Sequence, residues 1–187
     1  MVQVGFYFDQ TRCTGCYTCA VACKDWNDIA AGPVNWLRVR AIEAGSFPNP
    51  FLAYLFLACY HCADPPCARA CPVSAITKID SNGIVVVDRD KCLGNKQCRS
   101  LCRNACPWDA PQFEREENAR MQKCDFCRER FDRGEQAVCV ESCPMHALDA
   151  GPLEQLKLKY GDSVEAAGFS YSARFKPSVL FKAKPRN

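Results

Sequence analysis

Sixteen of the 187 residues are cysteine, and they fall into four quartets with none left over. The first is Cys13, Cys16, Cys19 and Cys23, in CTGCYTCAVACK, and the second is Cys59, Cys62, Cys67 and Cys71, in CYHCADPPCARACP. The third is Cys92, Cys98, Cys102 and Cys106, in CLGNKQCRSLCRNACP, and the fourth is Cys124, Cys127, Cys139 and Cys143, in CDFCRERFDRGEQAVCVESCP. Thiols at this density form disulfides, bind zinc or hold iron–sulfur clusters, and spacing chooses among the three. A disulfide inside C-x2-C-x2-C would close a tiny, strained loop. Zinc is normally held by two Cys or Cys/His pairs separated by a longer loop. Here a third and a fourth thiol follow at once, and a proline follows three of the quartets.

The order of spacers follows the run C-x2-C-x2-C-x3-C-P of bacterial ferredoxins, in which the fourth cysteine serves the other cluster of a pair. Three thiolates wrap one cluster in a tight loop. The last spacer then begins a helical turn that carries the fourth thiol away, and the proline restricts the backbone just beyond it. On this plan Cys59, Cys62 and Cys67 hold one cluster and Cys71 belongs to the next.

The elements that must position these loops are short. Gly5-Phe6-Tyr7-Phe8 reads as a strand before the first quartet, and Ala147-Leu148-Asp149 follows the fourth. After Cys71-Pro72, VSAI reads as a short helical turn. TKID and IVVVD then read as strands around Asn82-Gly83, a hairpin signal. The most apolar run, FLAYLFLACY from Phe51 to Tyr60, is about half a membrane span and leads into Cys59, so it reads as a buried strand. Residues 24–58 form a longer connection containing Trp26 and Trp36. Those two and Trp108 read as packing rather than as electron relays.

The chain is long enough for one or two domains with a true core. A net charge of +3 is too weak to suggest a nucleic-acid partner. The charge is uneven: residues 151–187 hold seven basic side chains against three acidic ones. The start, MVQVGFYFDQTRC, lacks the basic and apolar regions of an export signal, so a cytoplasmic location is expected, with no direct insertion into a membrane. A reducing compartment disfavours structural disulfides and favours metal.

The stretches FYFDQTRCTGCYTCAVACKDWND, CYHCADPPCARACPVSAI, NGIVVVDRDKCLG, CPWDAPQF, KCDFC and CVESCPMHALDAGPLEQLKLKYGD together resemble a known family. It is the four-cluster iron–sulfur subunit of molybdenum and tungsten pterin oxidoreductases of the dimethyl sulfoxide reductase type. The resemblance covers residues 6 to about 162. It implies an α+β fold of two bacterial-ferredoxin-like 4Fe-4S modules with long loops, the second nested within the first. Residues 1–55 and 110–150 would form the outer module, 56–109 the inner one, and 151–187 a C-terminal extension docking on the partner subunit.

The same resemblance implies four ligand sets. Cys13, Cys16 and Cys19 with Cys143 would bind cluster 1, and Cys124, Cys127 and Cys139 with Cys23 cluster 2. Cys59, Cys62 and Cys67 with Cys106 would bind cluster 3, and Cys92, Cys98 and Cys102 with Cys71 cluster 4. The third quartet departs from the family's spacing, because Asn95 stands where its second cysteine is expected. Either residues are inserted and Cys98 takes that position, or Asn95 replaces a ligand and cluster 4 is a three-iron cluster. Insertion is preferred, since CPWDAPQF anchors Cys106 and leaves Cys102 at the proper distance.

The implied partner is a large catalytic subunit carrying tungsten or molybdenum bound to a pterin, with a further electron-transfer or flavin subunit in some complexes. The third-quartet spacing and the end GFSYSARFKPSVLFKAKP resemble the small subunits of soluble tungsten aldehyde oxidoreductases, a group that includes benzoyl-coenzyme A reductases. The chain itself has no catalytic pairing. His61 and His146 read as packing groups or as neighbours that tune a cluster. Lys24, Lys91 and Lys123 adjoin ligand cysteines; each is read as a surface lysine, against the alternative of a charge that raises a cluster's potential. The expected role is an electron-transfer subunit. A free-standing polyferredoxin is the alternative, and a structural zinc protein a third. Chemical analysis of anaerobically purified protein separates them. Four complete clusters give about sixteen iron per chain with no oxidised three-iron resonance, whereas a missing ligand gives about fifteen with one, and a zinc protein none.

Overall fold

The computed structural model describes residues 2–186. The apolar run VGFYFD forms β1 (Val4–Asp9), which is buried along its whole length because it lies at the centre of a three-stranded sheet. Its neighbours are β6 (Leu148–Pro152), antiparallel with Phe8 opposite Leu148, and β7 (Val179–Lys182), parallel with Phe6 opposite Val179. A second pair joins β2 (Arg38–Ala44) to β3 (Phe51–Leu57), the FLAYLFL run, with Arg38 opposite Leu57. A third joins β4 (Ile76–Lys78) to β5 (Val85–Val87). Its Asn82-Gly83 turn forms as expected: the Ile84 amide donates to Asn82 Oδ1 at 3.0 Å, and Gly83 takes φ +74°. That positive φ is the left-handed region glycine favours, whereas the nearest neighbour of Gly83, the end of the Gln3 side chain, can move aside.

Short helices carry six of the cysteines, Cys19, Cys23, Cys67, Cys98, Cys102 and Cys139, and three more, Cys71, Cys106 and Cys127, cap them. These helices are α1 (Thr18–Trp26), α2 (Pro66–Ala70), α3 (Asn95–Cys98), α4 (Leu101–Ala105), α5 (Arg128–Asp132) and α6 (Val138–Glu141). A longer one, α7 (Leu153–Tyr160), follows β6 directly. Helix α1 packs against α6, and α2 against α4. Between these pairs lies an aromatic core in which Phe6 touches Phe56 and Phe126, with ring centroids 5.3 and 4.8 Å apart. Among the described residues no helix is long and apolar enough to cross a membrane.

Several expectations change here. VSAI is not helical: Pro72 and Val73 form a turn, Ser74 takes φ +51°, and β4 begins at Ile76. Of the tryptophans, Trp108 is buried and stacked on Phe169, and the indole of Trp36 donates to Gln122 Oε1 at 3.0 Å. Trp26, by contrast, is 44% exposed under the Arg130 guanidinium. The boundary expected at residue 55 falls inside β3.

Residues 151–187 also contribute to the chain's own body, although Leu158 and Tyr171 stay exposed. Val179, Leu180 and Phe181 are buried in the first sheet. Tyr160 stacks on Tyr7 at 3.7 Å, and the Ala63 and Asp64 amides donate to the Lys176 and Phe175 carbonyls. The strand β7 is covered on both faces, Val179 and Phe181 packing into the main core and Leu180 against Tyr7 and Leu156. Phe181 packs against Phe8 and Phe169, so Phe181→Ala should cost about 3–5 kcal/mol. Thermal bleaching of the loaded protein checks this: Phe181→Ala should lower the bleaching temperature clearly, and Leu158→Ala, at a side chain 90% exposed, should leave it in place.

Candidate metal centres

Three small cavities are each ringed by four thiols, and each draws its thiols from two quartets. Cys13, Cys16, Cys19 and Cys143 line one, together with Phe8, Val39 and Leu148. Cys23, Cys124, Cys127 and Cys139 line the second, with Phe6, Trp36 and Phe126. Cys71, Cys92, Cys98 and Cys102 line the third, with Ile76, Phe113 and Met121. The other four thiols are also neighbours: Cys62 is pushed up in pKa by burial and then by Cys59, Cys106 and Cys67. Phe56 borders both the first and the second cavity.

Helix geometry explains the crossing. Cys19 and Cys23 sit one turn apart on α1, so they face one way while reaching two different cavities. Cys67 lies in α2 and Cys71 caps its end; Cys102 and Cys106 repeat that arrangement on α4. Proline at the start of α2 costs nothing, because the first-turn amide has no helical partner.

The prolines after three quartets belong to a larger pattern. Three residues after each of those cysteines the chain turns left-handed, at Ser74 (φ +51°), Asp109 (φ +51°) and His146 (φ +46°). That turn aims the next amide back at the sulfur. Ala75 N–H donates to Cys71 Sγ at 3.3 Å and Ala147 N–H to Cys143 Sγ at 3.4 Å, and the Ala110 amide does the same for Cys106. The first quartet lacks the proline, and there the Asn27 side-chain amide reaches Cys23 Sγ at 3.7 Å instead. Met121 N–H on Cys92, Phe126 N–H on Cys124 and Thr18 Oγ1 on Cys16, all at 3.4 Å, add further donors. Hydrogen bonds to ligand sulfur stabilise its negative charge and raise a cluster's potential.

Several of these thiols resist ionisation without metal. Burial first, and then neighbouring thiols, push Cys19 up to about 12. Burial also pushes Cys23, Cys67 and Cys102 up to about 12. Cys16 differs: it is exposed, and the Thr18 hydroxyl and amide lower its pKa. Among the described residues no three metal-binding side chains converge on one ion-sized position. A zinc ion with Zn–S bonds of about 2.3 Å needs that convergence. Four thiols ringing a water-poor space lined by aliphatic and aromatic groups suit a cluster, which has a corner for each.

The third cavity includes Cys98, whereas Asn95 is not among its lining residues. Asn95 instead starts α3, and its amide donates to the Ala119 carbonyl at 2.9 Å. His61 is fully buried, with Nδ1 accepting from the Val85 amide at 3.0 Å. Burial, then the Lys123 and Lys78 cations, hold its pKa well below the ordinary value, so it is neutral. His146 is exposed and serves as a left-handed turn residue. Lys91 is exposed and paired with Asp88 at 3.4 Å, and Lys24 is half-buried. Lys123 is 2% exposed, which overturns its assignment to the surface. The sulfur-directed left-handed residues went unrecognised in the sequence, although the recurrence of C-P-x-x-A at Cys71, Cys106 and Cys143 was there to be seen.

The family model for the 4Fe-4S dicluster domain matches residues 51–153. The chain is 41% identical over 188 residues to an anaerobic dimethyl sulfoxide reductase chain of Escherichia coli (strain K12), covering 96% of this chain and 88% of the relative. It is 34% identical to a sulfite dehydrogenase subunit of Allochromatium vinosum, covering 79% of this chain and 68% of that one. With the formate dehydrogenase iron-sulfur subunit of Wolinella succinogenes it shares 32% identity, covering 93% and 97%. The alternatives at the third quartet give opposite substitution results. Cys98→Ala should lower the iron content by about one per chain or empty one cluster, and Asn95→Ala should keep the full complement, both read by iron analysis and electron paramagnetic resonance.

Proposed function

The chain belongs to the 4Fe-4S dicluster family, together with the anaerobic dimethyl sulfoxide reductase chain it resembles, and on that footing we propose how it carries electrons. It is a non-catalytic electron-transfer subunit holding 4Fe-4S clusters, and its partner is the catalytic subunit of an oxidoreductase. Cluster 1 takes Cys13, Cys16, Cys19 and Cys143; cluster 2 takes Cys124, Cys127, Cys139 and Cys23; cluster 3 takes Cys59, Cys62, Cys67 and Cys106; cluster 4 takes Cys92, Cys98, Cys102 and Cys71. Bound there, the iron supplies the one-electron chemistry, and the chain's own residues set distance, burial and charge. The observation that carries this assignment is the set of three four-thiol cavities, each mixing two quartets.

Under this assignment the quartets pair first with fourth and second with third, as two ferredoxin-like modules, the inner nested in the outer. The packing of α1 on α6 and of α2 on α4 supports that pairing. The clusters then run 1–2–3–4. Helix α1 links 1 to 2 through Cys19 and Cys23, and α2 links 3 to 4 through Cys67 and Cys71. Cluster 1 meets the surface at Cys16 and the exposed Tyr17 and Val21; cluster 4 meets it beside Val73, Leu93 and Leu101. Those ends are where electrons enter and leave, one of them facing the catalytic partner.

That partner, in our proposal, is a tungsten- or molybdenum-pterin protein, and the complex works in the cytoplasm. The experiment is anaerobic purification through a tag on this chain, with metal and pterin analysis. A stoichiometric large subunit carrying pterin and either metal supports the proposal. A chain that isolates alone and reduces several unrelated acceptors equally well would make it a free polyferredoxin.

A further inference from the structure

We propose that Lys123 is a fixed cation shared by clusters 2 and 3, which raises the potentials of both and keeps the central step of the electron path level. The inference rests on the ligand sets proposed above. Lys123 is 2% exposed, and its ammonium donates to two backbone carbonyls, those of Val85 and Cys124, the second at 2.9 Å. Neither acceptor carries a net charge. Val85, whose carbonyl it holds, shares a buried apolar cluster with Cys67, and Cys124, whose carbonyl it also holds, is its chain neighbour. In the loaded protein the ligand sulfurs of Cys59, Cys67 and Cys124, with Asp125 after them, are the negative groups that act on it. Cys59 and Cys67 belong to cluster 3 and Cys124 to cluster 2.

A buried ammonium is costly unless compensated by negative charge. Here the compensation comes from two clusters at once, since no carboxylate forms an ion pair with Lys123 among the described residues. Each cluster gains one negative charge when it accepts an electron. A buried cation, little screened by salt, favours that reduced state. Because the same ammonium faces both clusters, an electron passing between them does not leave its field. Other cations nearby lack this placement. Lys78 donates to the Cys62 and Ala63 carbonyls at 3.2 and 2.8 Å, beside cluster 3 alone, and is only half-buried. The buried His61 is neutral and does not offset the charge.

The test is an anaerobic potentiometric titration of the loaded protein, followed by electron paramagnetic resonance, for Lys123→Met, Lys123→Gln and Lys123→Arg. Glutamine keeps a donor for the two carbonyls and removes the charge; arginine keeps the charge. Two of the four midpoint potentials should fall in the Met and Gln variants and return toward their original values in the Arg variant, with the other two unmoved. Cys62→Ser and Cys127→Ser, each altering one signal, identify the pair as clusters 3 and 2. Four intact clusters with unmoved potentials in the Met and Gln variants overturn the proposal, as does a uniform shift of all four. Loss of iron in all three variants alike would make Lys123 a structural residue and overturn it too. If Cys62→Ser and Cys127→Ser instead altered the same signal, the ligand sets themselves would fall, a result distinct from unmoved potentials.

Discussion

Everything in this molecule follows from the need to hold four sulfurs around one small apolar space, and to do so four times. Sulfurs so placed repel one another as thiolates and lose solvation, which is why burial drives several of them far above the ordinary thiol range. Neither effect can be relieved by rearranging side chains. It is relieved when iron takes up the negative charge, so metal binding and folding share one free energy. The secondary structure is correspondingly modest: short strands, and helices of mostly four or five residues. Their termini matter more than their lengths, because the termini present the thiols and turn the amides toward them.

The same economy recurs at the sulfurs. A cysteine followed by proline, a left-handed residue and a returning amide is used three times, on three unrelated surroundings. Where the proline is missing, a side-chain amide at Asn27 takes the donor's place. The local rule is one hydrogen bond, and the chain meets it by different covalent means. His146 illustrates how such a rule hides a residue's role. An imidazole beside a ligand cysteine invites a chemical explanation, yet its position is set by backbone conformation.

Much of this was legible in the sequence. The quartets, the strand before Cys13, the buried strand ending near Cys59 and the Asn82-Gly83 hairpin are all local patterns, and local patterns survive folding. What escaped was non-local. For the segment after Gly151 the sequence did not show that its strand β7 would pair with β1, a contact between residues far apart in the chain. Lys123 looked like any other charged residue beside a ligand. Its burial comes with contacts from elsewhere in the chain, such as the Val85 carbonyl it holds. VSAI failed for a different reason: Val73 and Ser74 are weak helix formers, Ser74 turns left-handed, and Ile76 pairs in β4.

The parallel pairing of β1 with β7 has a consequence for biogenesis. The central strand of the first sheet is made before its partner β7, with the other strands and the helices lying between them in the chain. Helix α1 likewise waits for α6, while α2 and α4 lie close together in the chain and can meet early. A growing polypeptide would thus complete its middle before its outside, so that the thiols of Cys13, Cys16, Cys19 and Cys23 stay open to oxidation until α6 and the fourth quartet have been made.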